Sequence, residues 1–425
     1  MIRVDLFITR AAQLCAVPAD AGGPQRGSRL GDLSLIEDGA LAVQDRRIVA
    51  VGPTADLRAH FSATREIDAT GRVVIPGFVD PHTHVVWAGD RAGEFEMRVA
   101  GKTYMEIMAA GGGIMSTVRA TRAASLDELV AQTKPRLARM LAHGTTTAEA
   151  KTGYGLEAAA EIKMLDAIRR LQAEQPLELV PTFLGAHAIP TEYHDRPDAY
   201  VDVVVNEVLP AFRSLASDFR PPVFCDVFCE DGAFTLEQTR RILVRAKELG
   251  FALKIHVDEF KPLGGSRLGV ELGATSVDHF VTTPPDEVEA VAKSGVIAVS
   301  LPGTSFGLGA SHKEYSPAKL LLEHGGALAL ATDCNPGTCW CESMQFVIAL
   351  ACRYLQLTPA QALAAATINA AFAVGRGDEV GSLEVGKQAD VVILDVPDYR
   401  HLGYRFGTNL VYTVIKRGQV VTQGT

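Results

Sequence analysis

The chain has 425 residues, of which 47% are hydrophobic and 21% charged, a composition typical of a soluble globular protein with one large and one small domain. Its formal net charge of −9 argues against a nucleic-acid partner or an anionic membrane surface. Seven cysteines without a CxxC pair, a charged start unlike a signal peptide and the lack of a long apolar segment predict a reduced, cytoplasmic protein.

The two ends of the chain share one pattern, short apolar runs separated by turn residues. Near the start, residues 42–51 have the pattern of a β-hairpin. Near the end, residues 389–395 and 411–418 have the composition of strands followed by a turn. We therefore predict that residues 1–72 and 378–425 join into one small β-domain.

The middle of the chain, residues 73–377, alternates strand-like apolar runs with helical patterns. The eight predicted strands are 73–80, 145–151, 178–186, 223–228, 251–257, 275–279, 296–301 and 327–333. The clearest helical patterns are 126–142, 158–174, 236–249 and 285–294. Such alternation is typical of a (β/α)8 barrel. The predicted fold class is α/β, a (β/α)8 TIM barrel with a small β-sandwich domain formed from both termini.

The first predicted barrel strand ends in the sequence His-Thr-His at residues 82–84. Side chains two residues apart on a strand point the same way, so both imidazoles can face one metal ion. Two later strands also end in ligand-type residues, His256 and Asp333, and His279 ends a third. Because the carboxyl ends of barrel strands share one rim, these residues predict a metal site there.

Two stretches carry a resemblance to a known family. Residues 76–84, PGFVDPHTH, together with the later strand-end histidines and the aspartate of the eighth strand, resemble the amidohydrolase superfamily. Residues 381–390, GSLEVGKQAD, are similar to the C-terminal β-domain signature of that superfamily. The resemblance implies a metal-dependent hydrolase built on the predicted barrel.

Four further stretches, at residues 86–91, 110–114, 149–155 and 332–338, narrow the resemblance. They are similar to a cyclic amidohydrolase of histidine degradation, and the resemblance covers nearly the whole chain. It implies hydrolysis of the cyclic amide C–N bond of 4-imidazolone-5-propanoate to N-formimidoyl-L-glutamate. That small molecule is the expected partner.

By this resemblance, His82, His84, His256 and Asp333 are the ligands of one metal ion per chain. Three neutral imidazoles and one carboxylate suit Zn, and Fe would also be accepted. Some superfamily members bridge two metals with a modified lysine on the fourth strand. Here that strand ends in Cys-Glu at residues 229–230, which favours a single metal.

Two lysines also lie on predicted barrel strands. Lys151 ends the second strand, the wrong place for such a bridge, and Lys254 lies two residues before His256, deeper in the barrel. We expect both lysines to be structural or ion-paired.

Glu259 follows His256 by three residues. In relatives with this pattern, the glutamate handles the proton of the metal-bound water, because the metal lowers the pKa of that water toward neutrality. His279 is expected to hydrogen-bond the substrate oxygen or the water. Either Glu259 or Asp333 would then deliver a proton to the departing ring nitrogen. Glu259, His279 and Asp333 are therefore the predicted catalytic residues.

The resemblance also implies which residues contact the substrate. Arg91, in the loop after the first strand, is expected to bind the propanoate carboxylate because a planar guanidinium suits a carboxylate bidentately. The other implied contacts lie at the same rim: Tyr154, His187, Glu259, Asn335, Gly337 and Thr338. Residues 111–113 form either a mobile flap near the site or an ordinary flexible turn.

Two rival interpretations remain at this point. Another cyclic amidohydrolase, or an aminohydrolase of nucleobases, would use the same ligands, although a nucleobase has no carboxylate tail for Arg91. A metal-free scaffold would be expected to lack ligands, and this chain retains them all. A homodimer is common among such barrels and is expected here by fold analogy alone.

Overall fold

The structure is a computed structural model, and it describes residues 1–102, 106, 110–311 and 314–423. Two eight-stranded sheets organise these residues. One is built from both ends of the chain and the other from its middle. The predicted fold class, a parallel barrel with a separate sheet from both termini, is confirmed.

The terminal sheet combines five strands from the start of the chain with three from its end. These are β1 (Ile2–Cys15), β2 (Leu35–Gln44), β3 (Arg47–Pro53), β4 (Phe61–Asp68), β5 (Val73–Pro76), β14 (Val391–Leu394), β15 (Val411–Lys416) and β16 (Gln419–Gln423). Their order is β16-β15-β14-β5-β1-β2-β3, and β4 pairs in parallel with β1. The antiparallel β2–β3 pair is the hairpin that the sequence predicts.

The barrel sheet is parallel throughout and follows chain order from β6 to β13. Its strands are β6 (Phe78–Asp80), β7 (Thr145–Lys151), β8 (Glu178–Ala186), β9 (Phe224–Cys229), β10 (Ala252–Val257), β11 (Ser276–His279), β12 (Ile297–Ser300) and β13 (Ala327–Leu330). Nearly every residue of these strands is buried. Strands that are covered on both faces have continuous apolar sequences, and for that reason they can be recognised in the sequence.

Helices cover the outer face of the barrel, except that the first helix of the chain packs on the terminal sheet. They are α1 (Thr54–His60), α2 (Ala92–Val99), α3 (Ile114–Ala123), α4 (Leu126–Ala142), α5 (Ala158–Glu174), α6 (Pro197–Val203), α7 (Leu209–Leu215), α8 (Leu236–Glu248), α9 (Gly265–Leu272), α10 (Pro285–Ala292), α11 (Pro302–Gly307), α12 (Ala318–Glu323), α13 (Met344–Tyr354), α14 (Pro359–Ala365), α15 (Ile368–Ala373) and α16 (His401–Tyr404). A π-helical turn, Val204–Val208, joins α6 to α7. In the described part of the chain, no helix has the length and apolar character needed to span a bilayer.

Helices α4 and α8 begin where the sequence predicts, because a capping box starts each of them. The Ser125 side chain accepts the Glu128 backbone N–H, and the Glu128 side chain returns to the backbone N–H of Ser125. Thr235 and Gln238 make the same exchange at α8. Each box satisfies backbone donors that a helix start leaves unpaired.

The predicted strand 73–80 is in fact two strands in two different sheets. β5 pairs with β1 and β14 of the terminal sheet, whereas β6 pairs with β7 of the barrel. The change occurs at Gly77, whose N–H donates to the carbonyl of Asp390. A Cβ at Gly77 would lie 2.3 Å from Thr146 Oγ1, so the close approach requires glycine. The domain limits at 72/73 and 377/378 stay a prediction.

The barrel closes beyond the formal ends of its first and last strands. The Asp333 N–H donates to the His82 carbonyl at 3.0 Å, and the His84 N–H donates to the Cys334 carbonyl at 3.0 Å. Thr83 and Cys334 form a parallel bridge between these two hydrogen bonds. We call this junction, residues 82–84 with 333–334, the seam. The eighth predicted strand therefore ends at Leu330, and Asp333 lies just after it in the seam.

Candidate active site

Four buried side chains converge at the seam. The Nε2 atoms of His82 and His84 lie 3.3 Å apart, and His84 Nε2 lies 3.4 Å from His256 Nε2. Asp333 Oδ1 is 3.5 Å from His82 Nε2 and 3.4 Å from His84 Nε2. Two nitrogens bound tetrahedrally to zinc at about 2.0–2.1 Å are about 3.4 Å apart. The donor atoms therefore already have the spacing of a four-coordinate metal site.

The protonation of these groups also suits a metal. Burial and the nearby positive charge of Lys151 hold the pKa of His82 and of His84 well below the usual histidine value, so both imidazoles are neutral. Burial lowers the pKa of His256 to about 4. Asp333 Oδ1 is buried and has no hydrogen-bond partner, while its Oδ2 accepts the Thr304 hydroxyl at 2.5 Å. A buried carboxylate oxygen left free in this way fits a cation.

Beneath the ligands lies a layer of buried charged residues that we call the floor. It consists of Glu149, Lys151, Asp226, Lys254 and Asp278, all 0% exposed. Lys151 Nζ is 2.6 Å from Asp226 and 2.9 Å from Glu149, and Lys254 Nζ is 3.0 Å from Glu149. Both lysines are therefore ion-paired, as the sequence predicts.

The floor reaches two of the histidine ligands. His82 Nδ1 is 2.6 Å from Asp278 Oδ2, and His256 Nδ1 is 2.9 Å from Asp226 Oδ2. A carboxylate can only accept, so Nδ1 of His82 carries the proton and its Nε2 presents a lone pair to the metal position. The His256–Asp226 contact has the distance of an ion pair without hydrogen-bond geometry. Burial raises the pKa of Asp278 to about 6. The positive partners of Asp226 outweigh its burial and hold its pKa well below the usual value.

Glu149 and Asp278 also converge with His82 in a way that could suggest a second metal. The ammonium groups of Lys151 and Lys254 occupy the neighbourhood of those carboxylates, at 2.9–3.8 Å. Positive charge is thus already supplied by the protein at this position. The arrangement supports a single metal, held at the seam.

Glu259 and His279 line a cavity of about 310 Å³ together with Thr304, whose hydroxyl donates to Asp333. His279 Nδ1 lies 3.6 Å from Glu259 Oε2, and the His279 ring lies 5.5 Å from the His82 ring. Burial and the charges of Asp333 and Glu230 raise the pKa of Glu259 well above its usual value. A carboxyl group with a raised pKa beside a metal position suits proton transfer.

Tyr154 and His187 stand on the other side of His84. The His187 ring stacks on the His84 ring at 4.8 Å, and the Tyr154 and His187 rings lie 5.4 Å apart. His187 Nδ1 is 3.0 Å from the Gly153 carbonyl, so Nδ1 is the protonated nitrogen and Nε2 is free to accept. The buried Glu161 fixes this loop by accepting backbone N–H groups of Gly153, Gly155 and Leu156.

We call the remaining part of the site the rim. It consists of Arg91, Tyr154, His187 and the turn at residues 335–338. Asn335 Oδ1 accepts the N–H groups of Gly337 and Thr338, each at 2.8 Å. The turn therefore satisfies these N–H groups internally. Their contact with a substrate stays a prediction.

Several charged residues that shape the site do not stand out in the sequence. Asp226, Asp278, Glu94, Glu161 and Glu230 each hold a ligand, a loop or Arg91. The detectable signal for the first two is an aspartate inside an apolar strand run, CDVF and SVDH. A buried strand carries a charge only when a partner faces it.

The backbone is strained at several strand ends of the site. Asp258, His279 and Asp333 have φ values of 54°, 72° and 53°, in the left-handed region that non-glycine residues rarely adopt. The Asp258 carboxylate accepts the hydroxyls of Ser266 and Thr283, which ties the loop bearing Glu259 to the barrel. Such strain persists only where surrounding contacts hold it, and it is common at active sites.

Comparison with known proteins agrees with this geometry. The amidohydrolase family matches residues 73–421, and an imidazolonepropionase-like composite domain of bacteria matches residues 39–61. The chain is 58% identical to a protein named imidazolonepropionase from Herpetosiphon aurantiacus, over 99% of this chain and 98% of the relative. A protein of the same name from Chloroflexus aggregans is 53% identical over 98% of each chain.

Solved structures share the fold at lower identity. An adenosine deaminase from Xanthomonas campestris with bound zinc superposes with a TM-score of 0.71 at 21% identity, covering 98% of this chain and 93% of that one. Guanine deaminase from E. coli gives a TM-score of 0.72 at 15% identity, covering 99% of both chains. At these identities the likeness extends to the fold alone.

Proposed function

The chain belongs to the amidohydrolase family and, within it, to the imidazolonepropionases, and from that membership we infer that it hydrolyses the cyclic amide C–N bond of 4-imidazolone-5-propanoate to N-formimidoyl-L-glutamate. The observation that carries this function is the convergence at the seam. Three neutral histidine nitrogens and one unpartnered carboxylate oxygen meet beside a rim that holds an arginine. A hydrolase for a small ring with a carboxylate tail needs both parts.

The cluster at the seam is the metal site, and we propose that it holds one ion per chain, Zn or Fe. A bound cation of this kind acts as a Lewis acid toward a carbonyl oxygen and makes a water molecule more acidic. His82, His84, His256 and Asp333 would hold it. The floor supports this assignment because it contacts two of the histidines at Nδ1 and pairs its own carboxylates with Lys151 and Lys254.

Glu259 is the proposed base for the attacking water. It takes one proton as the water oxygen forms a bond to the ring carbonyl carbon, and His279 donates a hydrogen bond to the oxygen that becomes negative. The ring C–N bond then breaks as the departing nitrogen receives a proton, either the one that Glu259 took or the second proton of the water, carried by Asp333. The proton that the nitrogen does not take leaves to solvent. One water is consumed, and the ring opens to a carboxylate and a formimidoyl group.

The rim is the proposed binding site for the rest of the substrate. Arg91 binds the propanoate carboxylate, and Tyr154 and His187 contact the ring, His187 through its free Nε2. Residues 335–338 contribute Asn335, Gly337 and Thr338. A nucleobase deaminase would have no use for Arg91 at this position, which favours a substrate that carries a carboxylate.

Turnover and metal content test the proposal together. The purified chain should hydrolyse 4-imidazolone-5-propanoate and leave hydantoins, dihydropyrimidines and nucleobases largely unchanged. Metal content should approach one ion per chain and fall sharply in His82→Ala and in Asp333→Ala. Two tightly bound metals, or faster turnover of a nucleobase, would overturn the assignment.

Several broader proposals follow from the inferred function and from the family membership. We place the enzyme in histidine degradation and in the cytoplasm, and the seven unpaired cysteines support a reducing compartment. A homodimer is proposed by fold analogy, and light scattering of the purified protein tests it. Residues 73–377 form the proposed catalytic domain, and residues 1–72 with 378–425 form the small domain.

A further inference from the structure

Glu94 lies at the meeting point of Arg91 and the glycine turn at residues 111–113. Its Oε2 atom accepts the Nε–H of Arg91 at 2.8 Å, and Arg91 Nη2 lies 2.8 Å from the same oxygen. Oε2 also accepts the backbone N–H of Gly113 at 3.1 Å. Only 14% of the Glu94 side chain is exposed, and 18% of the Arg91 side chain. One half-buried carboxylate therefore holds the arginine and the turn together.

This pairing decides which edge of the guanidinium is free. An arginine has five N–H groups in one fixed plane. Nε and Nη2 form the side edge of the guanidinium, and Nη1 and Nη2 form its end edge. Glu94 occupies the side edge. The opposite end faces the 335–338 turn, because a Cβ at Gly337 would lie 2.3 Å from Arg91 Nη1. Among the described residues, none accepts a hydrogen bond from the Nη1 end of Arg91, so its donors there are available to a ligand.

A second arginine fixes the same turn from the helix that bears Glu94. The Nη2 group of Arg98 donates to the carbonyl of Gly337 at 3.1 Å. Arg98 lies one residue before the end of α2, and Glu94 lies in its first turn. The start and the end of this one helix are thus both tied to the surroundings of the Arg91 guanidinium.

We propose that Glu94 is a positioning residue for substrate recognition. It holds Arg91 by the side edge so that the Nη1 end is presented to the carboxylate tail of the substrate. The inference rests on the proposed function, since it concerns how that substrate's tail is bound. Glu94 acts through Arg91, so it affects binding of the tail and neither metal binding nor the bond-breaking step.

Ligand binding provides a test that does not depend on turnover. The probes are imidazole-4-propanoate, which carries the tail without the ring carbonyl, and 4-methylimidazole, which lacks the tail. For the metal-loaded protein, Glu94→Ala should weaken binding of imidazole-4-propanoate by about 10–100-fold, the scale for losing a hydrogen bond to a charged group. Binding of 4-methylimidazole should change less than about twofold.

Glu94→Gln keeps the size of the side chain and its oxygen acceptor, so it provides a second measurement should Glu94→Ala fail to fold. It should weaken the tail-bearing probe by less than Glu94→Ala does. Glu96→Gln is the matched control, because Glu96 is an exposed carboxylate on the same helix. It should bind both probes like the parent. If turnover is measured, Glu94→Ala should raise KM for imidazolone propanoate and leave kcat within about twofold. This is the result expected when an interaction that stabilises bound substrate and transition state equally is lost.

A double variant separates positioning from general support of the fold. If Glu94 acts through Arg91, Arg91→Ala/Glu94→Ala should bind imidazole-4-propanoate within about twofold of Arg91→Ala alone. Additive losses, or equal losses for both probes, would overturn the inference. A parent protein that binds the tail-bearing probe tightly yet fails to open imidazolone propanoate would refute the proposed function and leave the positioning role standing.

Discussion

The floor and the rim are built in opposite ways. Every floor residue lies on a barrel strand, is 0% exposed and contacts an opposite charge from another strand. Rim residues lie on loops, and single side chains such as Glu94 and Asn335 set their positions. A strand position is fixed by the whole sheet, whereas a loop position depends on a few hydrogen bonds.

The difference means that metal binding and substrate binding can be altered separately. The floor hydrogen-bonds His82 at Nδ1, contacts His256 at Nδ1, and makes no contact with Arg91 among the described interactions. Loss of a floor charge should therefore lower stability and metal affinity. Loss of a rim group should lower only affinity for the substrate.

Removal of a floor cation should have the largest effect. Lys151→Met leaves Asp226, Glu149 and Asp278 with one ammonium group among them, and breaking a buried ion pair costs about 3–5 kcal/mol of stability. Burial lowers the pKa of Lys151, but these three carboxylates outweigh burial and keep it above the usual value, so the charge is present at neutral pH. Urea denaturation measures the free energy of unfolding.

Lys134→Met is the matched control for this experiment, because Lys134 forms an exposed ion pair with Glu174. Exposed pairs contribute about 0–1 kcal/mol. Equal stability losses in the two variants would show that the floor is no more than a set of ordinary polar contacts.

Glu259 belongs to neither floor nor rim, and its loss should affect catalysis without loss of the metal. Glu259→Gln is expected to keep its metal and to lose about 10²–10⁴-fold in kcat, the usual scale for general acid–base catalysis. Metal analysis and steady-state kinetics on the same preparation measure both. Should the metal disappear with the carboxylate, Glu259 would be a ligand and its assigned role wrong.

Substitutions of Arg91 test whether the rim recognises the carboxylate tail of the substrate. Arg91→Ala should lower kcat/KM for imidazolone propanoate by about 2–4 kcal/mol, since a buried carboxylate loses its charged partner. Arg91→Lys should recover only part, because the ammonium lacks the planar fork. An imidazolone without the tail should be a poor substrate for all three proteins. A similar loss on both substrates would assign Arg91 to the fold.

Asp278→Asn should give the smallest effect and probes the contact between floor and metal site. The variant keeps the size of the side chain but weakens its acceptor for His82 Nδ1, and comparable changes lower metal affinity by about 10–100-fold. Competition with a chelator measures this affinity. Asp286→Asn, at an exposed position, is the control. Unchanged affinity would mean that strand geometry alone orients His82.

The fold could be predicted closely because buried parallel strands leave a strong local signal. Seven of the barrel strands lie where apolar runs predict them, and α4 and α5 match the predicted ranges 126–142 and 158–174. The failure at 73–80 has a specific cause. Both β5 and β6 are apolar, and only a partner far along the chain, Asp390 or Thr146, reveals that they belong to different sheets.

The convergence of the four predicted ligands could be anticipated because each lies at or just after a strand end, and their role as metal ligands stays a prediction. The supporting residues could not be anticipated, because their role depends on pairing between distant positions. Asp226 and Lys151 are 75 residues apart, and nothing local to either marks the other as its partner. Glu94 could not be assigned either, since its role requires knowing where Arg91 and Gly113 meet.

The position of the seam links the metal site to the order in which the chain is synthesised. His82 stands on one side of it and Asp333 on the other, at opposite ends of the barrel sequence. A nascent chain that has emerged only as far as β12 has every histidine ligand but lacks the carboxylate and the last strand. Tight metal loading therefore becomes possible only after the final strand has docked against the first. An ion bound at the seam would therefore join the first and last strands and would be held tightly only by a completed barrel.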